Sequence, residues 1–365
     1  MTVKKLECLR FRNLKETVLE PCEGINVIFG DNAQGKTNLL ESVWLFTGCR
    51  SFRGSADSEL INFNAKNAKL SLDFFGSGRE QNISLELEKG RSFSLNGIKV
   101  KSASKVMGEF SAVVFSPVHL TLVKGGPGER RKFLDTAISQ LKPKYAVTLA
   151  NYNKALSERN IILKDCYFHS ELQNLLDVWE ERVAFYGSEI IRQRIGYVNA
   201  LSRFCDEIYS GISSRKEKLS VSYKENCSAF GNDKQEIYDN LKNLLFAARK
   251  TDIPTGFSSV GPHRDDLSIS IDGIAARSFG SQGQQRSAAL ALKLSEAAVI
   301  RDFTGEQPVA LLDDVMSELD LSRQNYILNH IKNWQVFITC CDPNSVKSLK
   351  YGEAFEMKNG SLSRR

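Results

Sequence analysis

The sequence predicts an α/β fold in two parts, a head built on a mixed sheet and a compact helical arm inserted into it. Three observations carry this reading. Ile25 to Phe29 is a short apolar run closed by a glycine-rich loop, after which Leu39, Leu40, Val43 and Trp44 recur at helical spacing. Val309 to Leu312 is a second apolar run, far along the chain, ending in Asp313 and Asp314. Between them, residues 129–210 keep a helical period. The head is expected over residues 1–127 and 255–365, and the arm over 128–254.

The loop after the first run reads Gly30-Asp31-Asn32-Ala33-Gln34-Gly35-Lys36-Thr37 and fits the P-loop pattern G-x-x-x-x-G-K-[ST]. Strand, loop and helix stand in the order that this motif needs. Glycines at 30 and 35 let the backbone turn tightly and approach an anion with no Cβ in the way. The loop N–H groups and the helix N-terminus then face the β- and γ-phosphates of a nucleotide. Lys36 adds a point charge and the reading gives it a catalytic as well as a binding part. The Thr37 hydroxyl suits a magnesium ion that keeps most of its waters.

The second run supplies the other half of the site. Asp313 ends a buried-strand pattern, so its carboxylate emerges at the C-terminal edge of the sheet, where open α/β folds hold ligands. Asp313 is assigned to magnesium through water, and Asp314 to orienting or deprotonating the attacking water. Upstream, Ser281-Gln282-Gly283-Gln284-Gln285-Arg286 opens a long helical pattern of Ala288, Ala289, Leu292, Leu294, Ala297, Ala298 and Ile300. A helix opening of this kind is a second anion-binding terminus. One nucleotide does not need two on the same chain, so Ser281, Gln282, Gly283 and Gln284 are assigned to the γ-phosphate bound by another copy. The other reading of Ser281 is an ordinary helix N-cap.

These motifs together resemble those of ABC-type ATPases: Gly30 to Thr37 as Walker A, Ser281 to Arg286 as signature, Leu311 to Asp314 as Walker B, and Ser317-Glu318-Leu319-Asp320 as D-loop. The subgroup is narrower. Phe11-Arg12-Asn13-Leu14 is similar to the opening of SMC-like and RecF-family proteins. Gly48 to Arg53, Leu122 to Pro127, Arg130 to Asp135 and Gly261 to Leu267 resemble RecF-family stretches, so the likeness runs from residue 3 to about 342. It implies that Arg12 and Asn38 join the nucleotide set. It also implies an ATP-driven homodimer on double-stranded or gapped DNA, a weak DNA-dependent ATPase, RecR and RecO as partners, and help in loading RecA and restarting stalled replication.

Two positions depart from the pattern. Val118 and His119 follow Pro117 where the family often has acidic residues. Val336 to Asp342 contains no histidine, where ABC-type ATPases usually place one after the last core strand. Thr339, a backbone group or Asp342 is left to take that place.

Composition narrows the classes. A net charge of +6 permits a nucleic-acid surface without demanding one. No apolar run approaches the length of a membrane span, and the N-terminus lacks the apolar core of a signal peptide. Eight cysteines lie scattered with no C-x-x-C pair, which fits a reducing cytoplasm rather than zinc or disulfides. Adjacent Cys340 and Cys341 read as packing residues.

The first 115 residues alternate strand-like runs with turns. Leu70 to Phe74 and Ile83 to Leu87 flank Gly76-Ser77-Gly78, and Asn96-Gly97 signals a hairpin. In the arm, Leu172, Leu175, Leu176, Trp179, Val183, Tyr186, Ile190 and Ile191 keep helical steps, punctuated by Pro143 and Gly187. Residues 236–249 add another helix. These helices are too short for the long coiled coil of SMC proteins. Residues 128–250 carry 20 Lys and Arg against 16 Asp and Glu, so most of the positive excess lies there. Arg130, Arg131 and Lys132 form the densest basic cluster, available for DNA or for docking by ion pairs. Gly261 to Asp266 reads as a charged structural network, with lobe coupling as a possible added role.

The resulting mechanism is a timed switch. Two ATP molecules join two copies head to tail, and hydrolysis releases them. Two other classes stay open: the ATPase subunit of a membrane transporter, and a nucleotide-bound scaffold with negligible turnover.

Overall fold

Strict alternation of buried and exposed side chains sets the first sheet of the computed structural model, which describes residues 1–213, 215–226, 231, 233–341 and 352–365, with Ser170 and Glu318 as backbone only. In β4 (Ala68–Gly76) the buried positions are Ala68, Leu70, Leu72, Phe74 and Gly76; in β5 (Arg79–Leu87) they are Gln81, Ile83, Leu85 and Leu87. Such a two-residue period buries one face and leaves the other polar. β1 (Thr2–Phe11), β2 (Leu14–Leu19), β6 (Arg91–Leu95) and β7 (Ile98–Val100) complete an antiparallel sheet of order β2-β1-β4-β5-β6-β7. The Asn96-Gly97 hairpin is present between β6 and β7, with both residues at positive φ, 50° and 79°.

The second sheet has the opposite pattern. β3 (Ile25–Phe29), β8 (Ala112–Phe115), β12 (Val309–Asp313) and β13 (Val336–Cys340) are almost continuously buried, as parallel strands covered on both faces must be. With β14 (Gly352–Lys358) and β15 (Ser361–Arg364) the order is β15-β14-β3-β13-β12-β8, and only β15 runs antiparallel. β3 and β12 are therefore separated by a single strand, β13. Helix α1 (Lys36–Leu45) follows β3, and one hydrophobic core takes residues from both sheets and from α1, among them Leu6, Phe74, Leu40, Val43, Leu311 and Phe337.

Contacts divide the chain into two compact units. The first holds Met1–Leu120, Glu207–Lys216 and Arg286–Arg365; the second holds Thr121–Asp206 and Glu217–Gln285. The second contains α2 (Thr121–Lys124), α3 (Pro127–Leu141), α4 (Pro143–Cys166), most of α5 (Gln173–Ile212) and α6 (Lys234–Thr255). It is not purely helical. β9 (Leu219–Lys224), β10 (Asp266–Ile271) and β11 (Ile274–Ala275) form a three-stranded antiparallel sheet, followed by α7 (Ala276–Phe279). Strand β9 pairs with β10 from Leu219↔Ile271 to Lys224↔Asp266, which ties the chain before α6 to the chain after it. The expected head boundary at 255 consequently differs from the contact boundary, which comes after Gln285.

Gly187 does not interrupt a helix. It lies within the 40-residue α5, where an added Cβ would stand 2.7 Å from Leu241 Cδ2, so its lack of a side chain lets α6 pack closely. α6 starts at the Asp233 N-cap and stops at left-handed Gly256. The last helices are α8 (Gln282–Thr304) and α9 (Leu321–Ile331). Among the described residues no helix is long and apolar enough to cross a membrane.

Candidate functional site

Backbone geometry forces the glycines of the loop after β3. Gly30 has φ 149°, and a Cβ there would lie 2.3 Å from the Met357 carbonyl oxygen on β14. Gly35 has φ 116° and caps the start of α1 in the left-handed region. Ala33 adopts φ 64°, a conformation that costs a non-glycine residue energy. The C-terminal hairpin holds the loop. The Asn359 N–H donates to Gln34 Oε1 at 2.6 Å, and the Gly360 N–H donates to the Gln34 carbonyl at 3.1 Å. Sequence reasoning did not use this hairpin, although Asn359-Gly360 carries the same turn signal as Asn96-Gly97.

Lys36 is 4% exposed, and its ammonium donates to the Gly30 and Asp31 carbonyls at 2.6 and 2.9 Å. The Thr37 hydroxyl donates to Asp313 Oδ1 at 2.8 Å, and the Thr339 hydroxyl donates to the same oxygen at 3.0 Å. The Asp314 N–H in turn donates to Thr339 Oγ1 at 2.9 Å. Burial pushes the Asp313 carboxyl above its ordinary range; the two hydroxyls oppose that shift and the neighbouring Asp314 charge adds to it. Asp314 sits at φ 50°.

A pocket of 520 Å³ opens over these groups. Asn32, Ala33, Gln34, Gly35, Lys36, Thr37 and Asn38 line it, with Arg12, Asn13, Arg53, Asp314 and the turn Ile61–Asn64. Gly30 and Asp31 shape it by holding Lys36, and Asp313 lies under it through Thr37. A second cavity, beside Phe115, Leu120, Leu290 and Leu319, measures 80 Å³ and is too small for a nucleotide.

Glu41 was missed in the sequence. It is fully buried on α1 and accepts from Arg12 Nε at 2.5 Å and Nη2 at 3.0 Å. It also accepts from the Ser51 hydroxyl and lies 4.0 Å from Arg53 Nη1. A buried carboxylate so paired fixes Arg12 at the pocket wall. Its signal was available: a lone acid in the apolar run Leu39-Leu40-Glu41-Ser42-Val43-Trp44. Asn38 joins the same wall, donating to Asn13 Oδ1 at 2.7 Å and accepting from Arg53 at 3.0 Å.

Of the candidates for the place of the missing histidine, the Thr339 hydroxyl is engaged with both aspartates and Asp342 lies outside the described residues. Cys341 departs from the packing role expected of it. Cys340 is buried in β13, but Cys341 is exposed, with Sγ 3.7 Å from Lys36 Nζ and 3.2 Å from Asn32 Oδ1.

Ser281 to Gln284 belong to the second compact unit. The Ser281 N–H donates to Gln284 Oε1 at 2.7 Å and the Gln284 N–H donates to Ser281 Oγ at 3.2 Å, a reciprocal capping box at the start of α8. Gln284 also donates to Glu217 at 2.8 Å. Ser281 and Gln282 are exposed, and Gly283 and Gln284 half-buried.

In the same unit the basic cluster is mostly consumed internally. Buried Arg130 grips Asp266 through Nε and Nη2 at 2.6 and 2.9 Å, and Arg131 donates to the Asp265 carbonyl at 2.8 Å. Lys132 is exposed. Arg194 binds both oxygens of Asp135 and the Pro262 carbonyl. The Tyr152 hydroxyl lies 2.6 Å from His263 Nδ1, while His263 Nε2 meets the Ser258 carbonyl at 3.0 Å. Burial lowers the His263 pKa to about 4. The Gly261–Asp266 turn is thus a structural network.

The fold agrees with known proteins. The RecF/RecN/SMC N-terminal domain family matches residues 2–361. The chain is 38% identical over 366 residues to the DNA replication and repair protein RecF of Clostridium perfringens strain SM101, covering 99% of each. It is 40% identical over 367 residues to RecF of Clostridium beijerinckii, covering 99% of this chain and 98% of that one. Among solved structures, the recombination mediator protein RecF-ATPrS in the RecFOR pathway superposes with a TM-score of 0.92 at 39% identity, covering 99% of this chain and 97% of that chain. The Smc head domain of Pyrococcus furiosus, with an extended coiled coil and bound to the C-terminal domain of ScpA, gives 0.55 at 18% identity, covering 100% and 96%; it is a likeness of fold alone. The ABC-type head fold, the full-length match and the sequence identity agree: the chain belongs to the RecF/RecN/SMC family and, within it, to the DNA replication and repair proteins named RecF.

Proposed function

We propose that this chain binds ATP with magnesium on Gly30 to Thr37 and Asp313, and dimerises with ATP on double-stranded or gapped DNA. It turns ATP over slowly under DNA control and acts with RecR and RecO to assist RecA loading. The observation that carries this reading is the Thr37–Asp313 hydrogen bond beneath a pocket walled by Lys36, Arg12 and Asp314. Family membership sets aside the transporter reading.

The donor set fits magnesium. A threonine hydroxyl and a carboxylate are hard oxygen ligands for an ion that keeps its waters. When bound, the ion supplies positive charge against the phosphates. The chain does the rest. The loop N–H groups and Lys36 bind the triphosphate, and the Glu41-held Arg12 adds a fixed positive charge to the wall. Asp314 orients the attacking water and accepts its proton. Ser281 to Gln284 of a second copy close on the γ-phosphate, so loss of that phosphate opens the dimer.

Sedimentation velocity with and without ATP, and with duplex or gapped DNA, tests the reading. It requires a dimer that appears with ATP, persists on DNA and decays as ATP is consumed. A monomer under all of these conditions contradicts it.

A further inference from the structure

Phe63 is the most exposed large hydrophobic residue among those described, at 103% of its reference surface, yet it lines the nucleotide pocket. Folding does not explain an aromatic ring fully in water, because burial of such a ring is favourable and none is gained here. The ring is not on a loose tail. Its turn is fixed on both sides by the segment that carries Arg12. The Asn62 N–H donates to the Arg10 carbonyl at 2.9 Å, and Asn62 Nδ2 donates to the Arg12 carbonyl at 2.5 Å. The Asn64 N–H donates back to Asn62 Oδ1 at 3.0 Å, and the Ala65 N–H to the Asn62 carbonyl at 2.9 Å. Ile61 bridges to Phe11 on β1. A rigid turn therefore presents one aromatic face at the rim of a pocket whose floor is the phosphate loop.

A triphosphate held by its phosphates at Lys36 and Thr37 extends its sugar and base away from the loop, along the pocket. Away from the phosphate loop the wall is made by Arg12, Asn13, Arg53, Glu59 and the turn Ile61 to Asn64. Its apolar, planar element is Phe63, and the π-face of a base is the planar partner that matches it. Stacking of a base on an aromatic side chain is favourable and tolerant of base identity. We propose that Phe63 is the stacking platform for the nucleobase of the bound nucleotide, an inference that rests on the P-loop reading above. It gives the pocket a way to select nucleotides over free polyphosphates, which the loop alone does not supply.

The test compares binding of ATP and of inorganic tripolyphosphate, each with magnesium, to the full chain and to Phe63→Ala, Phe63→Tyr and Phe63→Trp. Phe63→Ala should weaken ATP about tenfold and leave tripolyphosphate unchanged. Phe63→Tyr and Phe63→Trp should bind ATP as the parent does, and the added indole of Phe63→Trp should lose fluorescence when ATP binds. The melting curves should coincide, since an exposed ring is being changed. Unchanged ATP binding by Phe63→Ala overturns the stacking assignment and leaves the P-loop reading intact, even when the variant fails to dimerise. Equal losses of ATP and tripolyphosphate also overturn it, because the effect is then not directed at the base. A parent that binds neither compound overturns the P-loop reading, and this assignment with it.

Discussion

Thr37 and Asp313 are 276 residues apart in sequence and 2.8 Å apart in space, hydroxyl to carboxylate. The parallel order β3-β13-β12 brings this about, because it sets the ends of β3 and β12 at one sheet edge with only β13 between them. Thr339, at the end of β13, completes the bridge by donating to the same carboxylate oxygen.

Asp313→Asn and Asp314→Asn should part company. Removing the Asp313 charge should weaken magnesium-dependent ATP binding by at least about tenfold, as loss of metal-site ligands does. Asp314→Asn should keep ATP affinity, lower turnover by roughly a hundredfold or more, and lengthen the life of the dimer. Isothermal titration and single-turnover hydrolysis separate the two. Identical profiles contradict the division of roles.

The same site predicts a pH effect in the nucleotide-free protein. Burial raises the Asp313 pKa in the folded state, so its stability contribution is full below the ordinary carboxylate value and is lost as pH rises through the raised value. Asp313→Asn should therefore melt higher than the parent near pH 7, by roughly 1–3 °C, with the gap closing toward pH 4. A variant that melts lower at pH 7 would show that the two hydroxyl donors outweigh burial.

Both halves of the site were legible in the sequence, because short apolar runs flanking a glycine-rich loop and an Asp-Asp pair leave few arrangements open. Other parts were less so. Ser281 to Gln284 reads in the sequence as a site for another copy's γ-phosphate, with an ordinary Ser281 N-cap as the lesser reading, and the observed hydrogen bonds are those of a capping box. The strand at Leu219–Lys224 was hidden because its pairing partner, Asp266–Ile271, lies beyond α6, and no local pattern reports so distant a partner. Glu41 was passed over since its partners Arg12 and Ser51 come from elsewhere in the chain. The charge of Arg130 and Arg131 was visible, but whether it faced solvent or Asp266 depended on that same hidden sheet.

Arg12→Ala should expose the cost of the buried Glu41. Removing Arg12 leaves buried Glu41 with only the Ser51 hydroxyl and the more distant Arg53, so the loss approaches, from below, the about 3–5 kcal/mol of a broken buried pair. The variant should melt lower and bind ATP more weakly, and adding Glu41→Gln should recover part of the stability without recovering the affinity. Calorimetry on the single and double variants checks this. A single variant with parental stability contradicts the pairing.

His263 should stay neutral well below the ordinary histidine range. Its folded pKa of about 4 lies below its unfolded value of 6.5, so the stability it brings is present above pH 6.5 and is lost as pH falls toward 4. The loss approaches about 3 kcal/mol across that window. An NMR titration of the His263 ring reads the value directly. A midpoint near 6.5 would contradict its burial against Tyr152 and Ser258.

The central claim is a site shared between two copies, and complementation tests it most directly. Ser281→Arg places a bulky cation where the second copy must approach, at a local capping cost of about 1 kcal/mol. It should still bind ATP through Gly30 to Thr37 but fail to dimerise and hydrolyse poorly. Lys36→Arg should lack a working loop while keeping its melting curve, because a planar guanidinium cannot replace the ammonium there. Each variant supplies the half that the other lacks. ATP turnover of the equimolar mixture should rise toward about half of the parental rate, because only mixed dimers close on ATP and each holds one competent site of two. No gain on mixing, together with normal ATP-driven dimerisation of Ser281→Arg, would contradict the shared site.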